Sequence, residues 1–590
     1  MPKKKVPLFK VAREVLKYTF ICWPTATSFY LLIGVTLGVL TGLSVWVMQF
    51  AFDSVTELAA GGRTMEAAIL PVILLIVFLT SQEAVIALYT YYMNTIEARM
   101  HGFMSRKVAE KTAKLEPVLF EDPQMLDDIN KASEGTSQAF GVGNTIISAT
   151  TLYLPYIIII AIYLYNLIPL LTLVILLTFA TKMVALVVRS KLYMDLEEQS
   201  APLRRKRLFY EDAMIGRQYF KETRQLGIFG FFKGKYMTSV HLLNRETWKA
   251  DARAATFDLI TEILNGINDV IILYLLFHSL QNGWITVGAF AAVLASVNEL
   301  SDMIEELISD HFTVVAEDLG KISYLIKLFD LPEKTGEDRE VNWRGTVEFE
   351  RVSFSYPNAQ HPSIDDVSLS IKNGETVAIV GENGAGKSTF TKLLLGLYEP
   401  TSGEIKVDGH AISTVSPEKL YKGVSAVFQY YQRYQLTLEE NIRISDSGGE
   451  ADLVPLMEQA GVDWESRSYP EGTETMLSRE FGGIDLSGGQ WQRVSIARGL
   501  YRLHDLIVLD EPTAAIDPLE ESRLYEKFAE ISKDKTSVIV THRLGSAKIA
   551  DKIVVLDKGK VVETGTHQEL LANKGQYSEM YESQSSWYMN

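Results

Sequence analysis

Apolar residues form long uninterrupted stretches only in the first half of the chain, whereas the second half carries short apolar runs separated by polar segments. A helix that crosses the hydrocarbon core of a bilayer needs about 20 mostly apolar residues. Six stretches meet this requirement, at 29–50, 69–93, 145–164, 168–188, 259–278 and 287–307. The pattern therefore predicts six membrane-spanning helices followed by a soluble domain.

Basic residues indicate on which side of the membrane the loops lie. Lys and Arg are scarce in the loops after the first, third and fifth spans, and they are concentrated at residues 3–13, 106–114 and 204–207. Loops rich in Lys and Arg remain in the cytoplasm. We therefore expect a multi-pass protein of the cytoplasmic membrane with both termini in the cytoplasm. Before the first span, apolar and basic residues alternate at helical spacing, which is typical of a helix in the inner interface.

The two long cytoplasmic connections, at 94–144 and 189–258, have apolar residues at heptad-like spacing and few prolines. Structureless loops of this length are uncommon in compact domains. We therefore expect the transmembrane helices to continue into the cytoplasm and to turn at 116–128 and 212–227. Each turn is either a surface loop or a contact element for the second half of the chain.

A polar hinge at 334–345 precedes a change of pattern. From residue 346 onward, β-type runs such as VEFERVSFSY, ETVAIV, LIVLD and SVIVTH alternate with helical segments. This order is typical of an α/β nucleotide-binding domain. The predicted fold is an interfacial segment (1–27), an α-helical six-span transmembrane domain (28–333), a linker (334–345) and an α/β P-loop ATPase domain (346–590).

The composition excludes several classes of protein. The chain of 590 residues has 57 Lys and Arg against 73 Asp and Glu, a formal charge of −16. We expect no nucleic-acid partner, because phosphate contacts need clustered basic residues. A hydrophobic content of 47% fits a chain divided between lipid and water. The single cysteine, Cys22, excludes a disulfide framework and a multi-cysteine metal site.

The segment GENGAGKST follows the apolar strand TVAIV and precedes a helical run, and in this context it predicts a phosphate-binding loop. Its glycines let backbone N–H groups surround phosphate oxygens, Lys387 neutralises the β- and γ-phosphates, and Ser388 ligates Mg²⁺. We therefore expect ATP and Mg²⁺ as cofactors. The candidate nucleotide-binding residues are Gly381, Glu382, Asn383, Gly384, Ala385, Gly386, Lys387, Ser388 and Thr389.

The run DLIVLDE ends in two carboxylates. Its apolar residues bury the strand and bring Asp510 and Glu511 to the C-terminal edge, where ligands bind in open parallel sheets. Asp510 would hold the magnesium ion through water. Glu511 would act as the general base or polarise the attacking water.

A third motif, LSGGQ, lies about 20 residues before this acidic pair, and THR follows it at 541–543. With these motifs in this order, the chain resembles an ABC transporter. Its first half is similar to the membrane domain of type IV exporters, so the resemblance implies a half-transporter with fused membrane and ATPase domains. The signature residues are Leu486, Ser487, Gly488, Gly489 and Gln490.

The resemblance implies roles for further residues. Tyr356 would stack on adenine. Gln429 would contact the magnesium ion and the membrane-domain loops, and His542 would contact the γ-phosphate, so that both join Glu511 in the catalytic set. Asp517 would lie in the D-loop, which reaches the partner ATPase domain.

The resemblance also implies a second copy. In this family two ATPase domains close head to tail, and each ATP lies between one phosphate-binding loop and the signature of the other domain. Both halves of the site are intact here, which favours a homodimer, and a heterodimer is the alternative. Trp491 after the signature and the segment EPVLFEDPQMLDDI resemble lantibiotic and bacteriocin exporters that lack a peptidase domain. Phe481 departs from the family, since many exporters have glutamate there.

Acidic residues in the last two predicted spans bear on the cargo. Glu299, Asp302 and Glu306 share one helical face, as do Glu262 and Asp269. Carboxylates at membrane depth usually line a water-filled path. We therefore expect an acidic cavity that favours a cationic or amphipathic cargo such as a peptide. For Glu306 the alternative is a solvated helix face below the membrane.

The predicted function is ATP-driven export by alternating access, carried out by an ATP hydrolase and translocase embedded in membrane lipid. Two other transport functions are alternatives, a lipid flippase and a multidrug exporter. An ATP-gated receptor or channel that does not pump is an alternative of a different class.

Overall fold

The computed structural model describes residues 7–306, 313–357, 359–512, 527–528 and 535–589. The chain divides into two units. The first comprises Met1–Ala113 and Asp127–Leu331, and the second comprises Lys114–Leu126 together with Pro332–Asn590. Residues 116–126 of the first predicted cytoplasmic turn therefore belong to the same unit as the nucleotide-binding motifs.

The first unit is helical. A π-helical turn, Ala149–Tyr153, joins its fourth and fifth helices, and the first residues of the fourth helix belong to the second unit. In chain order the helices are α1 (Leu8–Cys22), α2 (Pro24–Ala59), α3 (Met65–Ala113), α4 (Pro123–Ser148), α5 (Leu154–Leu167), α6 (Pro169–Ile215), α7 (Phe220–Gln225), α8 (Phe229–Gln281), α9 (Val287–Glu306) and α10 (Thr313–Asp330).

Three of these helices are much longer than a bilayer requires. Helices α3, α6 and α8 contain 49, 47 and 53 residues. At 1.5 Å per residue each reaches about 70–80 Å, more than twice the roughly 30 Å of hydrocarbon. These lengths leave room for the predicted continuation of the transmembrane helices into the cytoplasm.

Five helical segments among the described residues are long and apolar enough to cross a membrane: Pro24–Ala59, Met65–Ala113, Pro123–Leu167, Pro169–Tyr193 and Phe229–Gln281. They contain the first five predicted spans, except that Ile168 of the fourth span is the N-cap before α6. The sixth predicted span, 287–307, corresponds to α9, and its last residue lies outside the described residues. Helix α9 carries Glu299, Asp302 and Glu306, three of the five acidic residues expected to line the cargo cavity.

The surface of this unit is apolar where a soluble protein would be polar. Asn265 and Asn268 of α8 are buried, whereas large apolar side chains are exposed on the same and neighbouring helices. Such exposed side chains include Leu70, Ile76, Leu173, Leu177, Ile263 and Val270. This inverted pattern is that of helices in contact with lipid, where buried polar groups find partners between helices.

Close packing in the helical unit depends on a small residue at one crossing. A Cβ atom at Gly38 of α2 would clash with the carbonyl oxygen of Leu152, in the π-helical turn. Because lipid gives helices no hydrophobic reason to associate, such close backbone approach is a main source of their packing energy. We therefore expect any larger residue at Gly38 to separate α2 from the turn.

The described residues of the second unit form two β-sheets. Its strands are β1 (Val347–Phe354), β2 (Ile364–Ile371), β3 (Thr376–Val380), β4 (Ser402–Val407), β5 (His410–Ala411), β6 (Gly423–Val427), β7 (His504–Asp510), β8 (Thr536–Val540), β9 (Lys552–Asp557) and β10 (Lys560–Gly565). One sheet is antiparallel, in the order β2-β1-β4-β5. The other has the order β10-β9-β3-β8-β7-β6, and only β10 is antiparallel to its neighbour.

Among the described residues of this unit, helices lie between the strands and after them in the chain. They are α11 (Lys387–Leu394), α12 (Pro417–Leu420), α13 (Leu438–Arg443), α14 (Leu453–Ala460), α15 (Gly488–Tyr501), α16 (Leu544–Ala547), α17 (His567–Ala572) and α18 (Gln576–Met589). Strands β3 and β8 are buried along their whole length, as parallel strands covered on both faces should be. The four runs predicted as strands are confirmed as β1, β3, β7 and β8.

Candidate nucleotide-binding and catalytic site

The phosphate-binding loop is formed by glycines that no other residue could replace without strain. Gly381 and Gly386 have positive φ angles of 155° and 104°. A Cβ atom at Gly381 would clash with the carbonyl oxygen of Leu556, and one at Gly386 with that of Ser363. The loop therefore turns tightly between β3 and α11, with the helix N-terminus directed at its centre.

Lys387 lies inside this loop. Its Nζ donates hydrogen bonds to the carbonyl oxygens of Gly381 and Glu382, both at 2.9 Å, and only 6% of the residue is exposed. Burial lowers the pKa of Lys387 below its usual value. Glu382, Asn383, Gly384 and Ser388 are exposed along the rim, so the ammonium group lies within a loop that is open to a phosphate chain.

Asp510 ends β7 and has the character of a metal ligand. It is 5% exposed, and its Oδ1 is buried without a hydrogen-bond partner among the described residues. Burial raises the pKa of Asp510 to about 6, although a hydrogen bond with Ser388 opposes this shift. A buried carboxylate oxygen, a serine hydroxyl and the amide oxygen of Gln429 are the oxygen donors that Mg²⁺ prefers. The residues therefore fit a magnesium ion.

Glu511 adopts a strained backbone conformation. Its φ angle is +49°, in the left-handed region that non-glycine residues rarely occupy, and its N–H donates to Val540 O at 2.9 Å. Such strain costs on the order of 1–3 kcal/mol and is concentrated at functional sites. The conformation turns the carboxylate toward two other candidate residues: Gln429 Nε2 donates to Glu511 Oε2 at 2.7 Å, and His542 Nδ1 lies 3.3 Å from the same oxygen.

The three predicted catalytic residues thus come together from adjacent strands. Gln429 follows β6, Glu511 follows β7, and His542 follows β8. Because these strands are parallel neighbours, their C-terminal ends meet at one edge of the sheet. The Glu511 carboxylate, which can accept a proton, therefore lies with an amide and an imidazole beside the phosphate-binding loop.

The signature forms the start of α15. Ser487 is its N-cap: Ser487 Oγ accepts from Gln490 N at 3.3 Å, and Gln490 Oε1 accepts from Ser487 N at 2.9 Å. This reciprocal pair is a capping box, which fixes the first turn of the helix. Tyr431 OH donates to Gly488 O at 2.7 Å, so a residue two positions after Gln429 holds the signature. Leu486 is buried beneath it.

Tyr356 lies in an aromatic cluster. Its ring meets Phe354 edge to face at 5.1 Å between centroids and Tyr398 at 5.8 Å, and its hydroxyl lies 3.1 Å from Thr389 Oγ1. The ring is half-buried at the end of β1. It therefore presents an aromatic surface for a base beside the last residue of the phosphate-binding loop.

The turn Pro117–Glu121 joins this cluster. Glu121 accepts hydrogen bonds from Tyr398 and, at 2.9 Å, from Lys392 Nζ. These two bonds lower the pKa of Glu121. Lys392 lies 4.9 Å from the Tyr398 ring centroid and 5.8 Å from that of Tyr356. The interpretation of this turn as a contact element is confirmed, and its partners are the neighbours of the candidate adenine site.

The remaining candidates do not converge in this way. Glu262 and Asp269 of α8 and Asp302 and Glu306 of α9 are exposed, and Glu299 is half-buried. Asp517 lies outside the described residues.

The sequence patterns missed four contacts of the two sites. Lys182 of α6 donates to Ser301 O at 3.3 Å, which places a cation next to the acidic face of α9. Tyr431 contacts the signature, Lys392 contacts Glu121, and Gln492 Nε2 is 3.5 Å from Glu511 O. The apolar run around Lys182 could have drawn attention to it, because a lysine at membrane depth is rare. The other three have no signal in the sequence.

Comparison with known proteins agrees with this geometry. Residues 364–514 match the family model described as ABC transporter. The chain is 28% identical to the subtilin transport ATP-binding protein of Bacillus subtilis, over 86% of this chain and 83% of that protein. It is 30% identical to the nisin transport ATP-binding protein of Lactococcus lactis subsp. lactis, over 62% of each chain. It is 39% identical to an ATP-dependent lipid A-core flippase of Alkalilimnicola ehrlichii, over 41% of each chain.

The fold as a whole is similar to a solved structure, a bacterial Atm1-family ABC exporter with ATP bound. The TM-score is 0.82 at 21% identity, and the match covers 94% of this chain and 98% of the other. The motifs, the family match and this fold agree with one another. Residues 364–514 thus form an ABC transporter domain that follows a helical domain in the same chain, and the fold is that of the solved exporter.

Proposed function

We propose that two copies of this chain form an exporter that moves a cationic, amphipathic peptide out across the cytoplasmic membrane. The observation that carries the ATP-driven part is the convergence of Gln429, Glu511 and His542 beside a formed phosphate-binding loop. The peptide part is supported by the acidic face of α9 and by the subtilin and nisin transport relatives.

Hydrolysis converts ATP and water to ADP and phosphate. Lys387 offsets the charge of the β- and γ-phosphates, Tyr356 stacks on the adenine, and His542 donates to the γ-phosphate. Glu511 accepts the proton of the attacking water, which Gln429 helps to orient. Ser388, Gln429 and Asp510 would hold Mg²⁺, which supplies charge neutralisation when it is bound.

Each ATP lies between the phosphate-binding loop of one copy and residues Ser487–Gln490 of the other, with Asp517 at the junction. Since Glu511 and the signature are both intact, two equivalent sites form in a homodimer. Both termini and the ATPase domains lie in the cytoplasm, where ATP is available, and the clusters of basic residues at 3–13 and 204–207 support this orientation.

The cargo contacts the face formed by Glu299, Asp302 and Glu306, with Glu262 and Asp269 on α8. A dimer doubles the negative charge of this face, which attracts a cationic peptide more than a neutral lipid. Lys182 offsets part of that charge. Because Lys182 Nζ donates to Ser301 O, this offset acts at the C-terminal end of α9.

Three rivals are separated by one set of assays. The protein is reconstituted in inside-out vesicles with a cationic amphipathic peptide, a neutral peptide of equal length or a fluorescent phospholipid. We expect the cationic peptide to stimulate ATPase activity and to accumulate inside. Accumulation of both peptides alike indicates a multidrug exporter, and movement of the lipid alone indicates a flippase. Stimulated ATPase activity without accumulation of any probe indicates a receptor or channel and contradicts export.

A further inference from the structure

The C-terminal helix α18 packs against the loop that carries His542. Tyr577 is fully buried, and Met580 and Tyr581 pack beside it in the cluster that contains Leu544 and Ala547 of α16. Positions 577, 580, 581 and 584 lie on one face of a helix, because residues three or four apart are neighbours. The same face therefore brings Gln584 to the start of α16.

The Gln584 side chain joins two backbone groups on either side of Arg543. Gln584 Nε2 donates to His542 O at 2.6 Å, and Gln584 Oε1 accepts from Leu544 N at 2.9 Å. An amide has one donor end and one acceptor end, and only one orientation satisfies both groups. Gln584 therefore clamps the backbone of the His542 loop from another helix.

The clamp acts where the loop needs a partner. Leu544 N is the first N–H of the four-residue helix α16, and helix N-termini leave such groups without an internal acceptor. Thr541 Oγ1 accepts from Arg543 N at 3.0 Å, but neither bond of Gln584 is duplicated by Thr541. The His542 side chain is itself nearly half exposed, at 46%, so its position depends on its backbone.

We propose that Gln584 is a positioning residue for ATP hydrolysis, which holds the His542 loop so that the imidazole stays beside Glu511. The inference rests on the role proposed above for His542. The C-terminal helix thereby controls the rate of hydrolysis without touching the nucleotide. Loss of the clamp lets the loop move and leaves the nucleotide-binding residues unchanged.

Two substitutions separate the hydrogen bonds from the packing. Gln584→Met keeps the length of the side chain and removes both bonds. Gln584→Glu keeps the acceptor for Leu544 N and places a carboxylate against the carbonyl oxygen of His542. Glu582→Gln, on an exposed position of the same helix, is the matched control. Gln584→Glu should be impaired at least as much as Gln584→Met, because it adds repulsion.

The experiment measures kcat and KM for ATP, the Kd of an ATP analogue and the unfolding temperature of the full-length dimer in lipid nanodiscs. We expect Gln584→Met to lower kcat about 5- to 50-fold, the scale of one or two hydrogen bonds. KM, Kd and unfolding temperature should stay close to wild type, and Glu582→Gln should match wild type throughout.

A double-mutant cycle with His542→Ala shows whether the effect passes through the imidazole. We expect Gln584→Met to cause no further loss in the His542→Ala background, because coupled residues are not additive. The proposal is overturned if Gln584→Met keeps the wild-type kcat. It is also overturned if KM rises and the unfolding temperature falls together with kcat, or if the full loss of kcat persists in the His542→Ala background. Wild-type turnover of His542→Ala alone would instead refute the role proposed for His542.

Discussion

The ATPase unit and the helical unit place their polar residues in different ways. In the ATPase unit, which is the second unit of the fold, Gln429, Glu511 and His542 come from the ends of three adjacent strands. Gln429 Nε2 and His542 Nδ1 both lie within 3.3 Å of Glu511 Oε2. In the helical unit, Glu262, Asp269, Asp302 and Glu306 lie along two helices and are exposed within one chain.

The two sites therefore depend on different levels of structure. Gln429, Glu511 and His542 are held by local turns and a sheet within one copy, and in the proposed exporter the signature of the second copy completes their site. The proposed cargo face depends instead on the summed charge of two copies. Changes in the first site should therefore act on turnover, and changes in the second on cargo affinity.

The largest effect is expected at Glu511. Glu511→Gln keeps the hydrogen-bonding shape but removes the base, so we expect kcat to fall roughly 10²- to 10⁴-fold while ATP still binds and the dimer stays closed. Lys387→Ala should instead weaken ATP binding itself. Turnover and equilibrium binding of ATP are measured on the same preparations. If Glu511→Gln hydrolysed ATP at the wild-type rate, the assignment of Glu511 as the general base would be wrong.

Asp510 should affect both the free energy of unfolding and the binding of Mg²⁺. Its raised pKa means that burying the carboxylate costs free energy above pH about 6, and that this cost disappears as the pH falls toward the ordinary value of 3.8. A shift of this size corresponds to about 3 kcal/mol. We expect Asp510→Asn to stabilise the nucleotide-free protein at pH 7.5 by up to this amount and to lose the stabilisation that Mg²⁺ and ATP give the wild type.

Thermal unfolding at pH 7.5 and pH 5, with and without Mg²⁺ and ATP, measures both effects. The stability gain should shrink at pH 5, because the wild-type carboxylate is then largely protonated. Asp463→Asn, at an exposed position of the same unit, is the control and should change neither quantity. A wild-type protein that Mg²⁺ and ATP stabilise no more than Asp510→Asn would contradict the assignment.

The acidic face should affect cargo and leave chemistry intact. Neutralising Glu299 and Asp302 together should weaken binding of a cationic peptide by roughly 5- to 150-fold, or about 1–3 kcal/mol, and abolish its stimulation of ATPase activity. Basal ATPase activity should survive. The comparison uses a neutral amphipathic peptide alongside the cationic one, and equal losses for both would indicate damage to the fold instead of an electrostatic site.

The smallest effect is expected at Glu121, because its carboxylate is partly exposed and solvent weakens the pair. Glu121→Lys should repel Lys392 and lower transport about 3- to 10-fold, with basal ATPase activity nearly unchanged. The double exchange with Lys392→Glu should restore transport. Glu471→Lys, at an exposed position in the same unit, is the charge control. Equal transport in all these variants would make the turn an ordinary surface element.

The sequence predicted what depends on local backbone geometry. The phosphate-binding loop needs glycines at Gly381 and Gly386, and the strand before Asp510 and Glu511 is buried on both faces, so both features leave a pattern. The long helices follow from apolar spacing in the same way. These features include the nucleotide-binding and catalytic candidates.

What the sequence did not predict depends on contacts between distant segments. Tyr431 reaches Gly488, Lys392 reaches Glu121, and Gln584 reaches His542 through single side chains with no repeating pattern. The close approach of Gly38 to Leu152, in the π-helical turn at Ala149–Tyr153, is a contact of the same kind. Such contacts become visible only once the fold brings the segments together.

The most direct test follows ATP hydrolysis and peptide accumulation together in proteoliposomes with outward-facing ATPase domains. We expect wild-type protein to concentrate a cationic peptide inside while ATP lasts, and Glu511→Gln to hydrolyse almost no ATP and to accumulate none. Peptide-stimulated hydrolysis in the wild type, with the peptide merely equilibrating across the bilayer, would contradict export and favour an ATP-gated receptor or channel.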